Sequence, residues 1–254
     1  MAATGGRETG REFAGKVVLI TGGARNIGRA LALEMAAAGA AVCVNSRGSA
    51  AELDAIVGEI RTNGGRAMKH VCDVTGAAAA RAMARAVVDT FGRIDMLVNG
   101  AVVHVVKPFL EITPEEWRQT ISVVLDGAFH CSQACLPEMI KAGGGSVVNM
   151  GGAAGHLPLW QRAPTAAAKA GLAGLTRALA QEFAGHNINV NCVAPGPVNT
   201  VRSTPLTFDM KQIPSGRFAE IAEVTAMIRL LCGANGRYIT GQTIHVNGGF
   251  YMNN

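Results

Sequence analysis

Two hydrophobic rhythms alternate along the chain. Short, largely apolar runs occur at Val17–Ile20, Ala41–Val44, 67–71, 95–98, 146–150, 188–193 and 242–246, the first of them apolar at every position. Between them lie longer Ala- and Leu-rich stretches whose apolar residues recur at helical spacing, at 26–38, 50–62, 77–91, 114–141, 164–184 and 219–232. A strand that is apolar at every position is buried on both faces, as a parallel strand covered by helices must be. Gly39, Gly64, Gly65 and Gly92 stand where the helical patterns stop. The alternation predicts βαβ units and therefore an α/β fold: a single-domain, Rossmann-type doubly wound parallel sheet of about seven strands with helices on both faces. Residues 1–14 read as a flexible polar tail and 15–254 as the dinucleotide-binding domain. The stretch Val198–Ile213 has no clean period, holds Pro205 and is followed by Pro214, so it reads as a loop over a site.

Composition narrows the partners. With 49% hydrophobic and 16% charged residues in 254, the chain is not intrinsically disordered. Its longest apolar stretch, Met35–Val44, is about half the ~20 residues a membrane span needs. The first residues lack an apolar signal core, so a cytoplasmic location is expected. Six cysteines are scattered singly through apolar runs and read as reduced core thiols. Cys131 and Cys135 share a helical face, but no third ligand stands at metal-site spacing, so no metal is expected. Lys and Arg are dispersed despite a net charge of +5, which favours a small anionic ligand over nucleic acid.

After the first strand comes Thr21-Gly22-Gly23-Ala24-Arg25-Asn26-Ile27-Gly28, between a strand and a helix, where a phosphate cradle belongs. This loop resembles the T-G-x-x-x-G-x-G of the short-chain dehydrogenase/reductase family, most closely its 3-oxoacyl-carrier-protein-reductase-like branch. Gly22 and Gly28 match, while Asn26 takes the middle glycine position, and Asn tolerates a left-handed backbone. The resemblance spans nearly all of 15–250 and implies further cofactor contacts. Asp73-Val74 looks like the pair beside the adenine, and Asn99 and Ala101 end the fourth strand. Pro195-Gly196-Pro197-Val198-Asn199-Thr200 resembles the segment near the nicotinamide. An acidic residue at the end of the second strand would favour a free ribose 2′-hydroxyl; Ser46-Arg47 stands there instead, with Arg25 in the glycine loop and no evident acid opposing them. NADP(H) is the expected cofactor.

The family's catalytic positions are where the resemblance breaks. Lys169 is retained in Thr165-Ala166-Ala167-Ala168-Lys169, but Thr165 takes the place of the tyrosine, Gly152 that of the serine and Val124 that of the asparagine. An aliphatic hydroxyl titrates far above a phenol, so Thr165 is no general acid and ordinary Tyr-dependent carbonyl reduction is not expected. His104 and His156, on loops at the carboxyl ends of strands, are candidate acids or bases, and Lys169 is a candidate relay as well as a cofactor ligand. Three functions stay open: an atypical NADP(H)-dependent oxidoreductase on a small molecule; a non-redox lyase, isomerase or hydrolase on the same fold; and an inactive cofactor-binding partner. The resemblance also implies a homotetramer, with 114–141 and 164–184 packing across a dyad.

Overall fold

The computed structural model describes residues 11–201 and 209–252; the remainder of the expected tail and of the 198–213 loop lies outside them. Seven strands form one sheet: β1 (Val17–Thr21), β2 (Ala41–Ser46), β3 (Arg66–Val71), β4 (Met96–Asn99), β5 (Gly145–Met150), β6 (Ile188–Pro195) and β7 (Thr243–Val246). Their order is β3-β2-β1-β4-β5-β6-β7, and every described pair is parallel. The intervening helices are α1 (Asn26–Ala37), α2 (Ala50–Thr62), α3 (Ala77–Phe91), α4 (Pro114–Ile121), α5 (Gly127–Lys141), α6 (Ala163–Phe183) and α7 (Ile221–Cys232).

Alternate residues of one strand serve the two faces. Val18 and Ile20 pack with Leu31 and Met35 of α1, Leu53 and Ile56 of α2, and Val224 and Ile228 of α7. Val17 and Leu19 face the other way, onto Met83 and Val87 of α3, Cys135 and Met139 of α5, and Ala180 of α6. This two-sided burial is why Val17–Ile20 of β1 reads as an unbroken apolar run. The core also takes in Phe13, 2% exposed, whose N–H donates to the Ala38 carbonyl at 2.8 Å, so chain assigned to the tail is built into the domain.

The expected helix 114–141 is helical throughout but not continuous. A π-helical turn, Ser122–Asp126, separates α4 from α5. Val124 on this turn packs with Ala128 of α5 and with Ala168 and Leu172 of α6. Gly171 of α6 comes so close to Leu125 that a Cβ there would stand 2.9 Å from Leu125 Cδ2. Contact with α6 thus accompanies a local register change of the kind that recurs at functional sites. The last helix begins at Ile221 rather than 219, held by a capping box between Glu220 and Glu223.

The chain runs outward from β1 to β3 and returns to β4 on the other side of β1. The carboxyl ends of β1 and β4 therefore flank a topological switch point, where such sheets bind ligands.

Candidate functional site

At that switch point the glycine loop is closed by contacts too short for side chains. A Cβ on Gly22 would lie 2.5 Å from the Gly100 carbonyl oxygen, and one on Gly28 would lie 2.4 Å from that of Gly22. Thr21 Oγ1 accepts from the N–H groups of Gly100 (3.1 Å) and Ala101 (3.3 Å), tying the loop to the end of β4. Asn26 adopts φ +49°, the left-handed conformation its glycine-like position requires. Its side chain also works: Nδ2 donates to the Val201 carbonyl at 3.0 Å and Oδ1 accepts from the Val201 N–H at 3.1 Å. That clasp to the segment after β6 has no signature in the sequence.

Arg25 caps α1 in extended conformation, and no described side chain caps the first turn. The leading N–H groups of α1, including that of Ile27, are the donors and the positive dipole end that a pyrophosphate uses. Beside them opens a cleft of about 570 Å³ lined by Arg25, Asn26, Arg29, Glu52 and Val201. The donors, the glycines and the cleft fit a dinucleotide.

The two arginines expected to meet a 2′-phosphate are not unopposed. Arg25 Nη2 lies 2.5 Å from Glu52 Oε1, and this hydrogen bond, ahead of a backbone one, holds the Glu52 carboxyl below its ordinary range. Arg47 lies 3.7 Å from Asp73, longer than a hydrogen bond. Asp73 in turn accepts from the Thr75 N–H at 3.0 Å, which sets the turn that carries Val74. The expectation that no acid faces these arginines is corrected: Glu52 sits on the first turn of α2, and the βα crossover swings it onto the glycine loop.

At the ends of β4 and β5 a polar chain runs through the interior. Asn99 Nδ2 donates to Asn149 Oδ1 at 2.8 Å and to Ser132 Oγ at 3.3 Å, and Asn149 Nδ2 donates to Thr176 Oγ1 at 2.9 Å. Asn99 Oδ1 is buried with no partner among the described residues. Sequence reasoning found Asn99 but missed Ser132, Asn149 and Thr176, because isolated polar residues in apolar segments carry no periodic signal.

Thr165 and Lys169 lie one turn apart on α6, both buried. Lys169 Nζ donates to the Met150 carbonyl. Burial pulls its pKa from 10.5 down to about 8, opposed in part by Cys192. Thr165 Oγ1 is buried with no hydrogen-bond partner among the described residues. A Cβ on Gly151 would lie 2.5 Å from Cys192 Sγ and require it to shift, whereas a Cβ on Gly152 meets open space. Gly155 lets the turn after β5 lie directly on the α6 backbone, where a Cβ would stand 2.9 Å from the Lys169 carbonyl carbon.

His156 follows Gly155 on that turn. His156 packs edge-on against His245 of β7, ring centroids 4.6 Å apart, and both contact Tyr251. Burial lowers the pKa of both imidazoles, helped by Arg177 at His156 and by His156 at His245. His104 is exposed on the segment after β4. That segment meets the loop before α6 where the Lys107 N–H donates to the Gln161 carbonyl at 3.1 Å. Gln161 takes φ +60°, and Trp160 beside it is 85% exposed.

The segment after β6 is pinned from two sides. The Gly196 N–H donates to the Val246 carbonyl at 3.0 Å, and a Cβ on Gly196 would lie 2.9 Å from Asn247 Cα. Val198 is buried and bridges to Ala219, which holds Pro195 through Thr200 at the carboxyl edge of the sheet. Among the described residues no cluster of three or more His, Cys, Asp or Glu could hold a metal, and no helix is long and apolar enough to cross a membrane.

The chain belongs to the short chain dehydrogenase family, a family of oxidoreductases that bind a nicotinamide cofactor: residues 16–211 match it. Among its relatives, the 3-oxoacyl-acyl-carrier-protein reductase FabG of Escherichia coli (strain K12) is 36% identical over 245 residues, covering 94% of this chain and 99% of the relative. That of Staphylococcus aureus (strain N315) is 36% identical over 242 residues, covering 93% and 98%. Among solved structures, a doubly substituted short-chain dehydrogenase/reductase of Serratia marcescens superposes with a TM-score of 0.89 at 30% identity, covering 94% of this chain and 99% of the other.

Proposed function

We propose that this protein is an NADP(H)-dependent oxidoreductase acting on a small molecule, with proton transfer that uses no tyrosine. The observation that carries this reading is the buried, unpartnered Thr165 hydroxyl one turn from a buried lysine whose pKa is brought to about 8. When bound, the cofactor supplies or accepts hydride. The cradle of Gly22, Asn26, Ile27 and Gly28 and the first turn of α1 would hold its pyrophosphate. Ser46, Arg25 and Arg47 would meet its 2′-phosphate, with Asp73 and Val74 at the adenine. Asn99, Ala101, Pro195, Gly196, Val198 and Thr200 would bound the nicotinamide half.

Thr165 donates a hydrogen bond to the substrate's reacting oxygen and so positions it; it does not ionise. Lys169 would bond the ribose hydroxyls and, with its pKa lowered to about 8, is the proton source a phenol would otherwise be. His156 is the second candidate, its ring held by contacts with His245 and Tyr251. A homo-oligomer, most simply a tetramer, is supported by apolar residues left exposed on and before α4 and α5: Phe109, Leu110, Trp117 and Phe129.

The test is a panel of ketones, enones and imines with NADPH, read by the loss of reduced-cofactor absorbance. Turnover that falls in Thr165→Val and returns in Thr165→Ser is expected. Turnover independent of cofactor would favour a non-redox activity.

A further inference from the structure

Glu52 stands where an anionic ligand would be expected to find a free cation. Its carboxylate holds Arg25 at 2.5 Å at the edge of the cleft beside the α1 N-terminus. Arg29, which also lines the cleft, is held the same way one helical turn further on, by Glu59 at 2.5 Å. Arg25 at the cap of α1 and Arg29 within it thus face the cleft already paired with two carboxylates of α2. Arg47 differs, with Asp73 at 3.7 Å and no hydrogen bond between them.

We propose that Glu52 is a specificity-determining residue that occupies Arg25 in place of the cofactor's 2′-phosphate and thereby weakens binding of NADP(H) but not of NAD(H). The inference rests on the NADP(H) reading of this site. A 2′-phosphate reaching Arg25 must displace the carboxylate from the guanidinium and then bear its repulsion, because both are anions and one guanidinium fork serves one of them fully. A 2′-hydroxyl carries no charge, needs no displacement and meets no such repulsion. Glu52 therefore narrows the preference that Arg25 and Arg47 create. The pair is solvent-exposed, 70% at Arg25 and 40% at Glu52, so its effect is modest and is screened by salt.

The experiment is a titration of NADPH and NADH, by quenching of protein fluorescence at low ionic strength, into wild type, Glu52→Gln, Glu59→Gln, Arg25→Gln and the Arg25→Gln/Glu52→Gln double variant. Glu52→Gln should tighten NADPH by about two- to fivefold and leave NADH unchanged. Glu59→Gln should change the ratio less, and the gain should vanish in the Arg25→Gln background. Equal tightening of both cofactors, or a gain that persists without Arg25, overturns the inference. A protein that prefers NADPH yet ignores Glu52→Gln contradicts this inference alone, whereas a wild type holding NADH as tightly as NADPH contradicts the cofactor reading beneath it.

Discussion

Replacing Lys169 by Met should move stability and cofactor affinity in opposite directions. The lysine is 6% exposed, and its pKa falls from 10.5 to about 8 because burial penalises the ammonium. At about 1.36 kcal/mol per pH unit, that difference means the folded protein bears about 3 kcal/mol for keeping the group charged at neutral pH. The sign follows from proton counting. Between pH 8 and 10.5 the unfolded chain binds more protons than the folded one, so stability rises with pH across that window and the cost is complete below it. Methionine fills the same space without charge, but the Met150 carbonyl loses its donor, which takes back about 1 kcal/mol. The net expectation for the free protein at pH 7 is a gain of about 2 kcal/mol, or about 4–8 °C in Tm for a chain of this size. NADPH affinity should meanwhile fall about ten- to a hundredfold, the loss of a charge-assisted hydrogen bond. Thermal melts of both proteins from pH 7 to 10, with calorimetric NADPH titrations at pH 7, decide it. A destabilised variant at pH 7, or a stability gap that does not shrink as pH rises, would refute the reasoning. Unchanged affinity together with lost activity would make Lys169 a proton-transfer residue only.

Three further outcomes follow from named contacts. Asn26→Ala should be less stable than Asn26→Gly by about 1–2 kcal/mol, because both variants lose the clasp to Val201 while φ +49° suits glycine and strains alanine; equal melting temperatures would contradict this. The imidazoles of His156 and His245 are held below 6.5, so the unfolded chain takes up more protons and stability should fall as pH drops below 6.5; His245→Phe should flatten that part of the stability–pH curve, and an unaltered curve would remove the pair as its cause. Light scattering at micromolar concentration should give a tetramer, and Leu110→Glu, placed on a side chain 96% exposed, should weaken it; a wild-type monomer would defeat the assembly proposed for α4 and α5.

The sheet was legible because burial on both faces leaves a plain trace: Val17, Val18, Leu19 and Ile20 are apolar without alternation, and each is at most 2% exposed. Gly22, Asn26 and Gly28 were legible because they stand at fixed spacing in one short loop, although the close approach of Gly22 to Gly100 belongs to the tertiary fold. The Arg25–Glu52 pair was not, since a glutamate on an exposed helix face carries no mark of which cation the crossover brings to it, 27 residues away. The π turn at Ser122–Asp126 also escaped, because a one-residue slip barely disturbs a helical period and is fixed by packing on α6. The Asn99–Asn149–Thr176 chain joins residues of two strands and a helix that only the tertiary fold brings together.

Redox catalysis with NADP(H) in the absence of a tyrosine at position 165 is measured by single-turnover mixing of the protein with stereospecifically deuterated NADPH and the carbonyl, enone and imine panel. Deuterium should pass from one face of the nicotinamide to at least one substrate class, and the transfer should be lost in Thr165→Val. Tight NADPH binding with no transfer to any of them would contradict it.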